Sequence, residues 1–420
     1  MKVVKLGGIG KIITGCTPST KKSEYYASND YMFVGPSDIK NVMYVVSSEK
    51  HISEKAYEDY KTRFINENSI VVDCIGSDMG NVAIVKEKCL TNQQINAITN
   101  IDESNYNIRY VYYVLSTMKN YFHLIGTNGS TMPILNKTMF ENIEIEVPDI
   151  ETQDKIANVL SKLDDKIKLN NEINNNLQEV INNIFISKFV NYDDYNGDYK
   201  STELGDIPSD WSIDSFGNII SFSNGYGWNS KDMLESYQLD TYKIFKMGNI
   251  KIGGGINKEK TKSWILKEKC SGLEQFLSKK GDVLMCMTDM KSSENPLLGH
   301  TALIDRDDEF VINQRVGLIR CDKGIKWPYI YTMTNLPFFI GDIRSKAHSG
   351  VQVNLTTSGI CDTKVIIPDK YSLDDFYKSA TPMYEKMFVL NNEIEYLEQL
   401  RDTLLPKLMN GEIDLDNIEI

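Results

Sequence analysis

Two stretches of this chain repeat apolar residues in alternating steps of four and three. The first runs from Pro148 to about Val190 and places Ile156, Leu160, Leu163, Ile167, Asn170, Asn174, Leu177, Ile181 and Ile184 on one seam, with Ile173 beside it. The second runs from Pro368 to Gly411 and does the same with Phe376, Ala380, Met383, Met387, Leu390, Ile394, Leu397, Arg401 and Leu404. A mean step of 3.5 predicts a long helix with a coiled-coil seam. The two prolines stand 220 residues apart, and Leu169-Asn170-Asn171-Glu172-Ile173 recurs as Leu390-Asn391-Asn392-Glu393-Ile394. A helix from Asp154 to Lys188 would span ~52 Å at about 1.5 Å per residue. That is too long to pack fully on one small domain, so it pairs with its own repeat. Equivalent helices near a pseudo-two-fold run antiparallel. Asn170 and Asn174 would fix the register at some cost in stability. Pro382 is expected to kink or restart the second helix.

The segments between the helices repeat as well. Asp30–Val34, Ser69–Asp73 and Asn81–Val85 read as short strands, Ile108–Met118 as a helix, and Phe140–Val147 as a strand leading to Pro148. Asp149 or Thr152 can cap the helix that follows. Phe33–Ile39 corresponds to Phe245–Ile250, Ser69–Cys74 to Asp282–Cys286, Asn81–Val85 to His300–Ile304, and Thr91–Gln94 to Ile312–Arg315. Gly129–Thr131 corresponds in the same way to Gly350–Gln352. The expected fold is α+β: two repeated α/β domains separated by two long antiparallel coiled-coil helices about a pseudo-two-fold. The expected boundaries are a first domain at 1–147, a helix at 148–190, a polar linker at 191–210, a second domain at 211–367, a helix at 368–412 and a tail at 413–420.

Charge follows the same division. The net charge of −12 is concentrated in 149–198, at −5, and 369–420, at −7; 1–148 stands at −1 and 199–368 at +1. The helices are acidic rods, poor ligands for DNA and suited to binding protein, while the near-neutral domains can each present a basic face. Seven scattered Cys with no C-x-x-C pair imply reduced thiols and a cytoplasmic protein. No apolar run approaches the ~18 residues of a membrane span, and no signal peptide is read.

Motifs for catalysis are scarce. There is no P-loop, no Asn/Asp-Pro-Pro-Tyr/Phe motif of amino-methyltransferases and no metal-like spacing among the four His. Gly253-Gly254-Gly255 lacks dinucleotide-binding spacing, and Asp164-Asp165-Lys166 reads as a solvated helix face. Candidates for binding are more numerous. The turn around Thr17, Ser19, Lys21 and Lys22 offers hydroxyls and ammonium groups to phosphates, though it also reads as an ordinary loop. Its counterpart carries Tyr226, Trp228 and Lys231, with Lys258, Lys260 and Lys291 further on. Asn92, Gln93, Asn313, Gln314 and Arg315 are the residue types that read adenine or guanine edges bidentately, though an Asn-Gln pair before a strand can equally bond backbone. Ser130 and Gln352, in the matching Gly129–Thr131 and Gly350–Gln352 turns, complete the set.

Several runs together resemble the specificity subunits of Type I restriction–modification systems: Val147–Asp165, Leu397–Ile413, Leu6-Gly7 with Gly15–Ser19, and Leu204–Pro208 followed by Trp211. The resemblance covers nearly the whole chain. It departs at Ser372–Asp375, where a Glu-Gln pair is usual, and at Asn224–Gly227, which replaces the second Gly-x-Thr-Pro turn. It implies two target-recognition domains, each reading half of a bipartite site in double-stranded DNA. It also implies recruitment of two DNA adenine methyltransferase subunits and of restriction/translocase subunits. S-adenosylmethionine, ATP and Mg would sit in those partners and no cofactor in this chain, which would have no catalysis of its own. Two other readings stay open: the specificity subunit of a modification-only or other phage-defence complex, and a coiled-coil scaffold that binds no DNA. If the helices set the spacing of the half-sites, inserting a copy of Leu177–Val180 adds roughly one turn, ~6 Å, or about two base pairs. Methylome sequencing should then show the same half-sites with a wider gap, and an unchanged gap in an active variant removes the helices as the spacer.

Overall fold

The computed structural model describes residues 1–127, 133–290, 296–349 and 352–413. They form two compact units, Met1–Leu169 with Glu393–Ile420, and Asn170–Asn392. Both long helices are present, Ile150–Ile186 and Lys370–Met409. Each gives one part of its length to each unit.

In the first unit, Lys2–Lys5 pairs antiparallel with Glu144–Val147. A five-stranded sheet follows in the order Lys11–Thr14, Ile95–Thr99, Ile70–Asp73, Val82–Val85, Tyr44–Val45. The first four strands are antiparallel and the last is parallel to its neighbour. A second sheet holds Tyr31–Val34 between Lys50–Ile52, antiparallel, and Cys89–Thr91, parallel. Ile70–Asp73 and Val82–Val85 are buried throughout, which explains why they read as unbroken apolar runs and not as alternating ones. Ile108–Thr117 is a helix as expected, with the Asn107 side chain accepting from the Tyr110 amide at 3.0 Å. Phe140 departs from expectation. It lies in a short helix, Lys137–Glu141, because the Asn136 side chain accepts from the Met139 amide at 3.0 Å and starts a turn that buries the ring; the strand begins only at Glu144.

The start of the first long helix is capped by Asp149, whose Oδ1 accepts from the Thr152 amide at 3.0 Å. These bonds hold the Asp149 carboxyl below its ordinary range. Ile156, Ala157 and Leu160 enter the core of this unit together with Leu408 from the second long helix. Asp164 corrects the expectation of a solvated face. Arg401 Nη1 lies 2.8 Å from its Oδ1, and the Tyr113 hydroxyl donates to its other oxygen. Asp164 has 17% of its side chain exposed, whereas Asp165 and Lys166 do face solvent. With Lys166 3.5 Å from Glu393, the two helical segments of this unit run antiparallel.

The second unit repeats this plan. Ser212–Ser215 pairs antiparallel with Lys364–Ile367. The main sheet runs Ser221–Asn224, Val316–Arg320, Val283–Cys286, Thr301–Leu303. Thr241–Phe245 lies between Trp264–Leu266, antiparallel, and Phe310–Ile312, parallel. A further sheet joins Thr288–Met290, Gln352–Asn354 and His348–Ser349. The stretch 191–210, expected as a linker, carries a hairpin of Tyr199–Thr202 with Gly205–Pro208, and its Ile207 is fully buried. Phe185 and Phe189 pack on Tyr329 and Phe376 with ring centroids 5.1–5.6 Å apart. Lys188 pairs with Asp375 at 2.7 Å, and Asn174 Nδ2 donates to Asn391 Oδ1 at 2.9 Å. Here too the segments are antiparallel. The helix does not restart at Pro382, which is exposed, so the helix carbonyl that loses its donor meets water.

The seam positions Ile156, Leu160, Ile167, Asn170, Ile181 and Leu390 are buried; Leu163, Ile173, Leu177, Met387, Ile394, Leu397 and Leu404 are half-buried. The burial of this seam comes from the chain's own packing. Asn174 Oδ1 is buried and accepts no hydrogen bond from the described residues. Converting Asn174 and Asn391 together to Leu should therefore raise the thermal midpoint. Asn174→Leu alone should gain less or lose stability, since it leaves the Asn391 amide unmatched. Scanning calorimetry of the two variants separates these outcomes.

Candidate nucleic-acid interface

In each unit a glycine ends the first strand of the main sheet and lies against the turn that precedes a neighbouring strand. In the first, the Gly15 amide donates to Ile95 at 3.0 Å and the Cys16 amide to Thr91 at 2.9 Å. In the second, the Gly225 amide donates to Val316 at 3.0 Å and the Tyr226 amide to Ile312 at 2.9 Å. A Cβ at Gly15 would lie 2.2 Å from the Thr91 carbonyl oxygen, and one at Gly225 2.4 Å from that of Asn313. Only glycine allows so close an approach of backbone to backbone. The turns held in this way are Asn92-Gln93-Gln94 and Asn313-Gln314-Arg315. Each asparagine folds back on its own turn: Asn92 Oδ1 accepts from the Gln94 amide at 2.9 Å and Asn313 Oδ1 from the Arg315 amide at 3.3 Å. Both asparagines therefore shape the loop, the backbone-bonding alternative that the sequence left open.

The glutamines differ. Gln93 and Gln314 are exposed at the tip. The Thr17 hydroxyl donates to Gln93 Oε1, and Asn92 Nδ2 approaches Thr17 at 3.5 Å. Gln314 Oε1 would lie 2.7 Å from a Cβ at Gly227, the position that matches Thr17. The same hydrogen bonds correct the sequence register: the Asn92 amide donates to Val34 and the Asn313 amide to Phe245, so Val34, not Phe33, is the counterpart of Phe245.

Thr17, Ser19, Lys21 and Lys22 lie together on the exposed loop after Cys16. A hydrogen bond to Tyr25 at 2.9 Å holds the Lys22 ammonium above its ordinary pKa. Burial pushes the Cys16 thiol up, and the charge of Arg63 partly offsets it. Arg63 was not among the residues expected from sequence; its Nη1 donates to the Thr14 carbonyl at 3.3 Å. In the second unit Tyr226 is 39% exposed and packs on Trp228 and Phe276, with centroids 4.9 and 5.4 Å away. Trp228 is not a surface residue: it is buried, and its Nε1 donates to the Ile312 carbonyl at 3.0 Å. Lys231 is exposed on the turn after it. Lys258 and Lys260 occupy a separate turn, and Gln352 lies in the additional sheet, so these three are not part of the Asn-Gln turn. Ser130 and Lys291 fall outside the described residues. Among the described residues, no three His, Cys, Asp or Glu side chains are grouped to hold a metal ion, and no helix is long and apolar enough to cross a membrane.

A repeated scaffold that presents two different polar turns is what a reader of two different half-sites needs. Residues 1–179 match the family model described as the Type I restriction modification DNA specificity domain. The chain is similar to the Type I restriction enzyme MjaIX specificity subunit of Methanocaldococcus jannaschii, at 27% identity over 99% of this chain and 94% of that protein. It is also similar to the HindI specificity subunit of Haemophilus influenzae, at 21% identity over 98% and 99%. A crystal structure of the Type I system S subunit from M. genitalium shares the fold, with a TM-score of 0.58 and 15% identity over 97% of this chain and 95% of that one. Its first 179 residues thus match the specificity-domain family, and nearly its whole length is similar to Type I specificity subunits.

The glycine contacts give a direct check. Gly15→Ala and Gly225→Ala each force a Cβ onto backbone and should destabilise the protein by about 1–3 kcal/mol. Gly8→Ala, which meets nothing within 4 Å, should not. Thermal unfolding of the three variants tests the difference.

Proposed function

We propose that this chain is the sequence-specificity subunit of a Type I restriction–modification assembly, in which each unit reads one half of a bipartite target in double-stranded DNA. The observation that carries this reading is the repeated Gly-to-Asn-Gln framework with different exposed side chains on its two copies. Phosphate contacts position a protein on a duplex and base-edge contacts specify the sequence. The lysines and hydroxyls beside Cys16 suit the first task, and Gln93, Gln314 and Arg315 the second.

The paired helices act as a fixed spacer and as the binding site for partners. Their exposed faces carry Leu169, Val180, Val389 and Tyr396, apolar residues that the chain leaves uncovered. These faces take up two adenine methyltransferase subunits and, for restriction, the translocase subunits. S-adenosylmethionine, ATP and Mg belong to those partners, and this chain does no chemistry itself. The place of action is the cytoplasm. A coiled-coil scaffold that binds no DNA would have no use for two elaborated turns on one framework.

Replacing residues 1–147 with the matching domain of another specificity subunit should change one half-site and leave the other as it was. The readout is methylome sequencing of a host carrying the hybrid with its methyltransferase. If both half-sites change, the two domains do not read independently.

A further inference from the structure

Three of the seven arginines are exposed, Arg63, Arg109 and Arg315. Arg109 is held by a side chain of the first long helix, and the other four are half-buried and engaged. Arg109 donates to Ser161, Arg344 to the Leu298 and Pro296 carbonyls, and Arg306, Arg320 and Arg401 pair with carboxylates. Arg63 and Arg315 pair with no carboxylate among the described residues. Both belong to an Asn-Gln turn: Arg315 is the residue after Gln314, and Arg63 bonds the carbonyl of Thr14, next to Gly15.

They reach that place from different framework positions. The Ile65 amide donates to Cys89 at 3.0 Å and the Ser278 amide to Phe310 at 2.9 Å, which makes Arg63 the counterpart of Phe276. Each is the last residue of a short turn, Lys61–Arg63 and Glu274–Phe276. Arg315 is the counterpart of Gln94. Where the first unit has Arg63 beside Cys16, the second has Phe276 beside Tyr226. Where the second has Arg315, the first has an uncharged glutamine. Each turn thus carries one accessible guanidinium and one exposed glutamine, with the cation moved to a different side of the loop.

An exposed guanidinium keeps most of its five donors for a planar pair of acceptors, and guanine O6 and N7 are that pair in the major groove. Lysine cannot match it, since an ammonium is a point charge without the fork. We infer that Arg63 and Arg315 are specificity-determining residues, each reading a guanine in the half-site of its own unit, and that their different framework positions place that guanine differently within the two half-sites. This inference rests on the reading of the chain as a specificity subunit.

The test uses the full-length chain with its methyltransferase subunits in a host free of other adenine methylation. It compares wild type with Arg63→Gln, Arg63→Lys, Arg315→Gln and Arg315→Lys by methylome sequencing. Each Arg63 variant should lose roughly 5- to 150-fold of its preference at one G·C pair of one half-site. The other half-site should stay intact, which also shows that the variant has folded and assembled. The Arg315 variants should do the converse. Two half-sites unchanged in every variant would overturn the inference. So would loss of all methylation by both substitutions at one position, or an equal loss over all sequences with the salt slope reduced by about one, which marks a phosphate contact. In each of these cases the specificity-subunit reading stands. If wild type itself methylates without sequence preference, that reading falls, and this inference with it.

Discussion

The antiparallel packing of segments from distant parts of the chain is the constraint on which both units rest. In the first, Ile156 and Leu160 share a core with Leu408; in the second, Phe185 and Phe189 share one with Phe376 and Tyr329. In each unit this core is closed by helical residues, while another, around Val34 and Val71 in the first and Phe245 and Leu284 in the second, is built without them. Burial of such side chains contributes on the order of 1.5–3 kcal/mol each before the entropy of ordering is set against it. The same helices therefore serve as lids on the cores and as continuous rods. A change in the seam is felt in the stability of the unit whose core it closes.

On this base the chain separates what must stay fixed from what can vary. The fixed part is backbone chemistry: matching amide-to-carbonyl bonds at Gly15 and Gly225, the folded-back Asn92 and Asn313, and Asp38 and Asn249 accepting from the Gly35 and Lys246 amides at 2.7 and 2.8 Å. The variable part is side chains that point away from it. Cys16 becomes Tyr226, Arg63 becomes Phe276, and Gln94 becomes Arg315. Because the loop is held by backbone bonds, exposed residues can change without loss of the turn's shape.

The long helices were legible because period 3.5 is a local signal, and the strand at Ile70–Asp73 because it is a short β-rich run. Phe140 was misread because a single capping residue, Asn136, overrides alternation. Asp164 looked solvated because its partner Arg401 lies 237 residues along the chain. Trp228 looked like a surface aromatic because it sits in a polar turn, and only the fold shows its indole on the Ile312 carbonyl. Arg63 carries no motif: Phe276 stands at the same distance before the matching strand, but an arginine and a phenylalanine share no chemistry that would mark both as neighbours of the Asn-Gln turn. The glutamines stood out because their turn has the same residues at the same spacing in both copies.

The division of the chain between the two units also orders its synthesis. The second unit is continuous, from Asn170 to Asn392, whereas the first is closed by residues from Glu393 onward. On the ribosome the carboxyl-terminal unit can finish first. The amino-terminal unit must wait with its core uncovered until Leu404, Leu405 and Leu408 emerge. At about 5–20 residues per second the intervening unit takes roughly 10–45 s to make. During that interval the apolar surface that Leu408 later covers stands open to solvent, and a chain cut short before Glu393 leaves its first domain, not its last, incomplete.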